Sequence, residues 1–385
     1  MKTTKNALNI KDKLVQVTVQ DYISSIDWEN TSNSPFVVEF DPTSNCNLAC
    51  PDCISGSLLN QGQIDRQRIK KLTQEMIDAG VKAVILIGGG EPMMHPDIGW
   101  VMETLGQAKI QIGITTNGLY LKKYHRETVA YANWVRVSMD AGTTDTFNRI
   151  RPSPTGKSLF KVAIRNMEMY AKEKKGILGY SFMIFSEGNY GFKGTPIVSG
   201  DNKSVISQIK TNTHEIYIAA KLAKEIGCDY FEIKPMYDVN HFGVLQKNSI
   251  ADIVEEQIDK AKSLEDKNFK VIEALKLRAT LRGESNLEPK EYTRCAVAHM
   301  RTLITTSGSY VCPYFRGVKH KEIGDVNTQS FQEMWKGEKR MEIMKNLNPS
   351  KDCPMHCIRH ESNMFIENGL KNGFPKAQDD FDFFI

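Results

Sequence analysis

The chain has 385 residues, a net charge of +4, 41% hydrophobic and 25% charged residues, an ordinary composition for a soluble protein of one large or two medium domains. So small a charge makes no general electrostatic case for nucleic acid. No apolar run reaches the length of a membrane span, and no apolar signal core follows the polar start Met1-Lys-Thr-Thr-Lys-Asn6, so the cytoplasm is the expected compartment.

Residues 1–35 hold few large apolar side chains and read as an N-terminal extension. Six strand-like runs follow: Phe36–Phe40, Ala83–Ile87, Gln111–Thr115, Trp134–Met139, Gly179–Phe185 and Tyr230–Pro235. Amphipathic stretches lie between most of them. Arg66–Ala79 puts Ile69, Leu72, Met76 and Ile77 on one helical face, and His214–Ile226 does the same with Ile218, Leu222 and Ile226. Such alternation implies a parallel sheet, whose functional groups gather at the C-terminal ends of the strands. Glu187–Ser207, rich in glycine, reads as an insertion after the fifth strand, either a solvated loop or a substrate lid. Ser249–Glu273 is charged and reads as a helical linker.

Just after the first strand comes Cys46-Asn-Leu-Ala-Cys50-Pro-Asp-Cys53. Three thiolates on one short loop can hold three corners of a cubic iron–sulfur cluster, leaving the fourth iron open to a small chelating molecule. Zinc fingers and ribbons need four ligands in two spaced pairs, and bacterial ferredoxin spacing differs too. The polar neighbours Asn45, Asn47, Pro51 and Asp52 speak against three buried structural thiols. Later strands end in Gly88-Gly89-Gly90-Glu91-Pro92, Ile114-Thr-Thr-Asn117-Gly118 and Val135-Arg-Val-Ser138-Met-Asp140, with Asn148-Arg149-Ile-Arg151-Pro152 beyond.

As an ordered set, these segments between residues 36 and 240 resemble the radical SAM enzymes. The resemblance implies an α/β fold, a partial (β/α)6 TIM-like barrel. It implies a 4Fe–4S cluster on Cys46, Cys50 and Cys53, with S-adenosylmethionine chelating the open iron. One-electron cleavage of that cofactor gives a 5′-deoxyadenosyl radical that takes a hydrogen atom from substrate. A low-potential donor such as flavodoxin or ferredoxin is implied as partner. Cofactor contacts are expected at Gly89 and Gly90, where bare backbone permits close approach, and at Glu91, which can accept from an ammonium group. Asn117, Ser138 and Asp140 suit ribose hydroxyls and the methionyl carboxylate. Arg151 suits that carboxylate through a bidentate fork, with Arg149 as competitor. Two features depart from the family: Asp52 stands where an aromatic residue is common, and Glu232-Ile-Lys-Pro235 matches the last strand motif only loosely.

Four more cysteines, Cys295, Cys312, Cys353 and Cys357, lie near the C-terminus. Thr302–Cys312 reads as two short strands turning at Ser307-Gly308, and Ile323–Val326 as a strand remnant feeding a helix at Phe331–Trp335. Four thiolates satisfy a complete cluster or a structural zinc equally. After a radical SAM barrel, this arrangement resembles a twitch domain, the short relative of the SPASM domain, which implies one auxiliary 4Fe–4S cluster. Cys228 follows Gly227 at the start of an apolar strand and reads as a core thiol. The expected division is 1–35 extension, 36–245 barrel, 246–290 linker, 291–362 auxiliary cluster domain and 363–385 tail.

A fully ligated auxiliary cluster favours electron acceptance. The expected reaction is therefore net oxidation of an alcohol on a sugar or aminocyclitol. Epimerisation (with Cys228 or Tyr237 as hydrogen donor), dehydration and maturation of a ribosomal peptide are the alternatives. The 35 residues before the first strand are few for a leader-binding domain. A non-catalytic iron–sulfur or zinc protein would explain the cysteines but not the strand-end motifs. Lys234, Tyr237, His241 and Glu187 fall near the expected barrel mouth. The aromatic tail Phe381–Ile385 either packs back on the barrel or meets a partner.

Overall fold

The computed structural model describes residues 10–30, 33–185, 211–235, 237–238, 243–244, 251–274, 277–282, 290–353 and 357–385. Glu187, His241 and the expected insertion at 187–207 lie outside the described residues.

The six apolar runs form six strands: β1 Val37–Phe40, β2 Ala83–Leu86, β3 Gln111–Thr116, β4 Ala132–Ser138, β5 Ile177–Ile184 and β6 Tyr230–Pro235. They lie side by side in chain order, each parallel to the next. Tyr237–Asp238 and Gly243–Val244 (β7 and β8) pair as a separate hairpin. The sheet continues past β6 through β9, Lys270–Glu273, which is also parallel. At the other edge β10, Arg301–Ile304, runs parallel to β1, and β11 (Ser309–Tyr310) and β12 (Glu322–Gly324) follow antiparallel. One open ten-stranded sheet results.

Residues alternate across this sheet as strand geometry requires. One face carries Val38, Phe40, Val84, Leu86, Ile114, Val135 and Val137, buried beneath the helices. The helix Arg66–Asp78 starts where the Asp65 carboxylate accepts from Gln67 N and Arg68 N, and turns Ile69, Leu72 and Met76 inward. Gly227, at φ +91, ends the helix Ile216–Ile226 in the left-handed conformation a side chain would resist. Cys228 follows it and packs in this same core.

The opposite, inner face is filled differently. At the N-terminal ends of the strands, Val37, Ala83 and Ile85 meet the tail residues Phe384 and Ile385. The Phe384 ring packs edge-on against Trp134 at 5.4 Å. Phe383 N–H donates to Gln111 Oε1 at 2.7 Å, and Arg301 donates to the Ile385 carbonyl. The tail thus packs back on the barrel and closes its floor. Above it, two aromatic rings lie across glycines: a Cβ on Gly113 would sit 2.2 Å from Trp134, and one on Gly179 2.1 Å from Tyr230.

Two segments differ from the sequence reading. The first residues are not merely an extension: the helices Ile10–Leu14 and Val17–Ser25 bury Leu14, Val19 and Ile23 in the core that holds the tail. The stretch after residue 249 is helical only over Ala251–Lys262; its end is β9. A four-residue strand with two apolar residues gives no periodicity to read. The hairpin turning at Ser307-Gly308 and the helix Phe331–Lys336 stand where the sequence places them.

Candidate functional site

The cysteine loop leaves β1 at the C-terminal edge and is fastened on three sides. Gly90 N–H donates to the Thr43 carbonyl and Glu91 N–H to the Asn45 carbonyl, tying the loop to the end of β2. Asn117 Nδ2 donates to Asn47 Oδ1 at 2.7 Å, tying it to β3. Ala49 N–H donates to the Pro152 carbonyl at 2.8 Å, tying it to the segment after β4. The motifs of three separate strand ends therefore converge on the loop that leaves the fourth, β1.

Glycine is required at the crossing with β2. A Cβ on Gly90 would lie 2.3 Å from the Asn45 carbonyl oxygen, and one on Gly89 2.7 Å from Asp41 Oδ2. The missing side chains thus make room for the protein's own loop.

Glu91 is almost wholly buried. Its carboxylate accepts from Thr116 Oγ1 (2.7 Å), Asn117 N (2.7 Å) and Met93 N (3.2 Å). Burial pushes its pKa up against these three donors. About four lone-pair positions are available to a carboxylate, so little acceptor capacity is left. Glu91 therefore braces the ends of β2 and β3.

Asp140 has a left-handed backbone, φ +56, which sets its carboxylate back over the sheet. That carboxylate accepts from Met183 N at 2.7 Å and from Arg151 Nε at 2.8 Å and Nη2. So held, Arg151 turns Nη1 to Cys50 Sγ at 4.0 Å. Burial works against the Arg151 charge, but Asp140 and the adjacent thiols hold its pKa above the ordinary value. Arg149 turns elsewhere, donating to Thr146 Oγ1 at 2.9 Å. Of the two arginines, the one the sequence favours meets the cysteine loop. Ser138 is half-buried on β4, opposite Ser181 of β5.

All three thiols are partly buried and free. Burial pushes Cys46 up to about 12 and Cys50 to about 11, and raises Cys53. Cation binding would have to displace these protons. The donor set fits a cubic cluster: three thiols on one loop, influencing each other's titration, with an arginine beside one of them. Among the described residues no three His, Cys, Asp or Glu side chains converge as a single metal ion would need, whereas a cube spreads its thiolates one to an iron. Asp52 is buried with Oδ1 lacking a partner, and burial pushes it up to about 6.

Cys295, Cys312, Cys353 and Cys357 lie near enough to bear on one another's titration. Burial raises all four, and each of Cys295, Cys312 and Cys353 is raised further by Cys357. The donor set is all thiol, and none is in a disulfide. One connection that sequence reasoning missed joins the two sets. Arg316, four residues past Cys312, donates through Nη1 to Asp41 Oδ2 at 3.0 Å and to Ser55 Oγ at 3.4 Å. Asp41 directly follows β1 and Ser55 lies two residues past Cys53; nothing in a single sequence signals a pair 275 residues apart.

A family profile for the radical SAM superfamily matches residues 40–188, the span of the first cysteine loop and the three fastening motifs. Over 206 residues the chain is 24% identical to the AdoMet-dependent heme synthase of Methanosarcina barkeri, covering 52% of this chain and 51% of that protein. Over 147 residues it is 26% identical to the mycofactocin maturase MftC of Mycobacterium tuberculosis, covering 37% of this chain and 36% of that one. The chain thus spans about half or less of these relatives' lengths. Among solved structures, Streptococcus suis SuiB superposes with TM-score 0.58 at 15% identity, covering 94% of this chain and 80% of that chain. The anSMEcpe structure with bound AdoMet and Cp18Cys peptide superposes with TM-score 0.55 at 14% identity, covering 90% and 93%. At such identities the likeness is one of fold, and the open, mostly parallel sheet is that of their partial barrels. Residues 40–188, with their cysteine loop and strand-end motifs, are thus the part of the chain that matches the radical SAM superfamily.

Proposed function

We propose that this enzyme oxidises an alcohol on a small polar substrate by radical chemistry begun at Cys46, Cys50 and Cys53. When bound, a 4Fe–4S cluster and S-adenosylmethionine would supply a 5′-deoxyadenosyl radical able to remove a hydrogen atom from carbon. The chain's own residues fix the geometry. Asp140 orients Arg151 toward the loop, where its Nη1, against Cys50, can meet a carboxylate. Glu91 and Asn117 hold the loop rigid from β2 and β3. Ser138 offers a hydroxyl on the inner face. The four C-terminal thiols would hold an auxiliary cluster with no open iron, suited to taking the second electron of an oxidation.

The observation that carries this reading is Arg151, poised by Asp140 against Cys50. The test is anaerobic reconstitution followed by dithionite and S-adenosylmethionine. Release of 5′-deoxyadenosine is expected, with about eight irons per chain for two clusters. Intact clusters without release would overturn the reading, and about four irons would overturn the auxiliary cluster.

A second reading, peptide maturation, is favoured by the sequence likeness to the maturase MftC. Deuterium transfer into 5′-deoxyadenosine from labelled polyols, against labelled peptides, separates the two.

A further inference from the structure

Three buried or half-buried arginines at this sheet each have a carboxylate of their own. Arg151 has Asp140, Arg301 has Glu39 at 2.6 Å, and Arg316 has Asp41 at 3.0 Å. One place on the inner face breaks the pattern. Arg136 of β4 and Lys234 of β6 share a single carboxylate oxygen, Glu232 Oε2, each at 3.4 Å. Arg136 Nη2 reaches only a hydroxyl, Thr115 Oγ1, at 3.3 Å, and its Nε has no hydrogen-bond partner. Other acids bear on these cations, namely Glu39 on Arg136 and Asp140 on Lys234. Both are already committed to Arg301 and Arg151. Among the described residues two cations therefore face one anion, through long contacts, with an arginine edge unused.

The place is reachable and well sited. The three side chains are 28%, 21% and 31% exposed for Arg136, Glu232 and Lys234. Arg136 lies two residues below Ser138 on β4, and Glu232 pairs in register with Ser181, the partner of Ser138. The tail and the rings of Trp134 and Tyr230 close the space beneath. A molecule resting there would stand inside the cup, under the cysteine loop and above the floor. An unpaired cation in a partly desolvated space costs free energy until an anion arrives.

We propose that Arg136 and Lys234 bind an anionic group, a carboxylate or a phosphate, of the substrate. This rests on the radical SAM reading of the site and narrows its substrate to an acid or a phosphate ester. Arg136 would present Nε and Nη2 as a fork, Lys234 a point charge, and Glu232 would hold both in place while empty and compete with the ligand.

The test uses the full chain, reconstituted, at constant ionic strength, with inorganic phosphate and acetate as separate probes in calorimetric titration. Saturable binding of at least one is expected, and which one binds distinguishes phosphate esters from acids. R136Q should weaken it by about tenfold or more, the loss of a charge-assisted hydrogen bond. E232Q should tighten it, because the competing charge is gone while the side chain's shape remains. Opposite signs at two residues of one cluster are not what a purely structural ion triad gives, and E232Q keeps the test alive should R136Q fold poorly. Binding unchanged by both substitutions, or none at all, would overturn the proposal. The underlying reading is tested separately by 5′-deoxyadenosine release from the unaltered protein, so either can fail without the other.

Discussion

Asp140 shows how much chemistry one backbone angle can set. Its φ of +56 is uncommon outside glycine, though Asp tolerates it. It lets one carboxylate take Met183 N–H and the Arg151 fork together. Asp140→Ala should leave a buried guanidinium without its anion, at a cost of about 3–5 kcal/mol, read by urea unfolding. Arg151→Lys should keep the charge but lose the fork, and 5′-deoxyadenosine release should fall by about tenfold or more. His299 provides a separate test at this scale. It is buried, and burial, then Arg340 and Arg294, lower its pKa to about 3 from an ordinary 6.5. The folded state thus refuses a proton that the unfolded state accepts below pH 6.5. The stability this neutral histidine contributes is intact above that pH and is lost progressively as pH falls toward 3. Between pH 7 and 5 the loss should be about 2 kcal/mol, and His299→Gln should remove that part of the pH slope in denaturant titrations.

At the scale of elements, the floor of the cup is the most exposed to test. Phe384 is buried between Trp134 and the ends of β1 and β2, and Gln16 grips the tail by accepting from Asp382 N at 2.8 Å. Phe384→Ala should cost about 3–5 kcal/mol, measured by thermal unfolding. The six central strands and the helices Arg66–Asp78 and Ile216–Ile226 were legible because apolar runs and 3.6-residue spacing are local signals. The same holds for the cysteine loop and the strand-end motifs, whose spacing is also local. The floor was not legible. Phe381–Ile385 announces an apolar tail but not its destination, which depends on glycine at 113 and on Gln111 and Arg301 in distant strands. Nor was β9, whose membership in the sheet comes from β6 beside it rather than from its own four residues. The shared carboxylate of Arg136 and Lys234 was equally hidden: Lys234 and Glu232 are visible in one strand, but the arginine comes from β4.

At the scale of the molecule, the two cysteine sets are carried by one piece of sheet. β1 delivers the first loop, and β10, hydrogen-bonded along its other edge, leads to Cys312. Arg316 then crosses back to Asp41 and Ser55, so the C-terminal segment touches the loop it helps to enclose. Burial pushes Asp41 up to about 6, with Arg316 the main influence holding it down. Its Oδ1 has no partner, so the ion pair is what keeps the charge tolerable. If barrel and C-terminal segment were independent units, Arg316→Ala would leave unfolding of the barrel unchanged. The continuous sheet argues for a single cooperative transition, in which Arg316→Ala costs about 3–5 kcal/mol because it strands the Asp41 carboxylate. Denaturant unfolding followed at once by far-ultraviolet dichroism and by tryptophan fluorescence decides the matter. Coincident curves that shift together are expected. Two separate transitions, only one of them moved, would mean that the segment carrying the second cysteine set folds apart from the first.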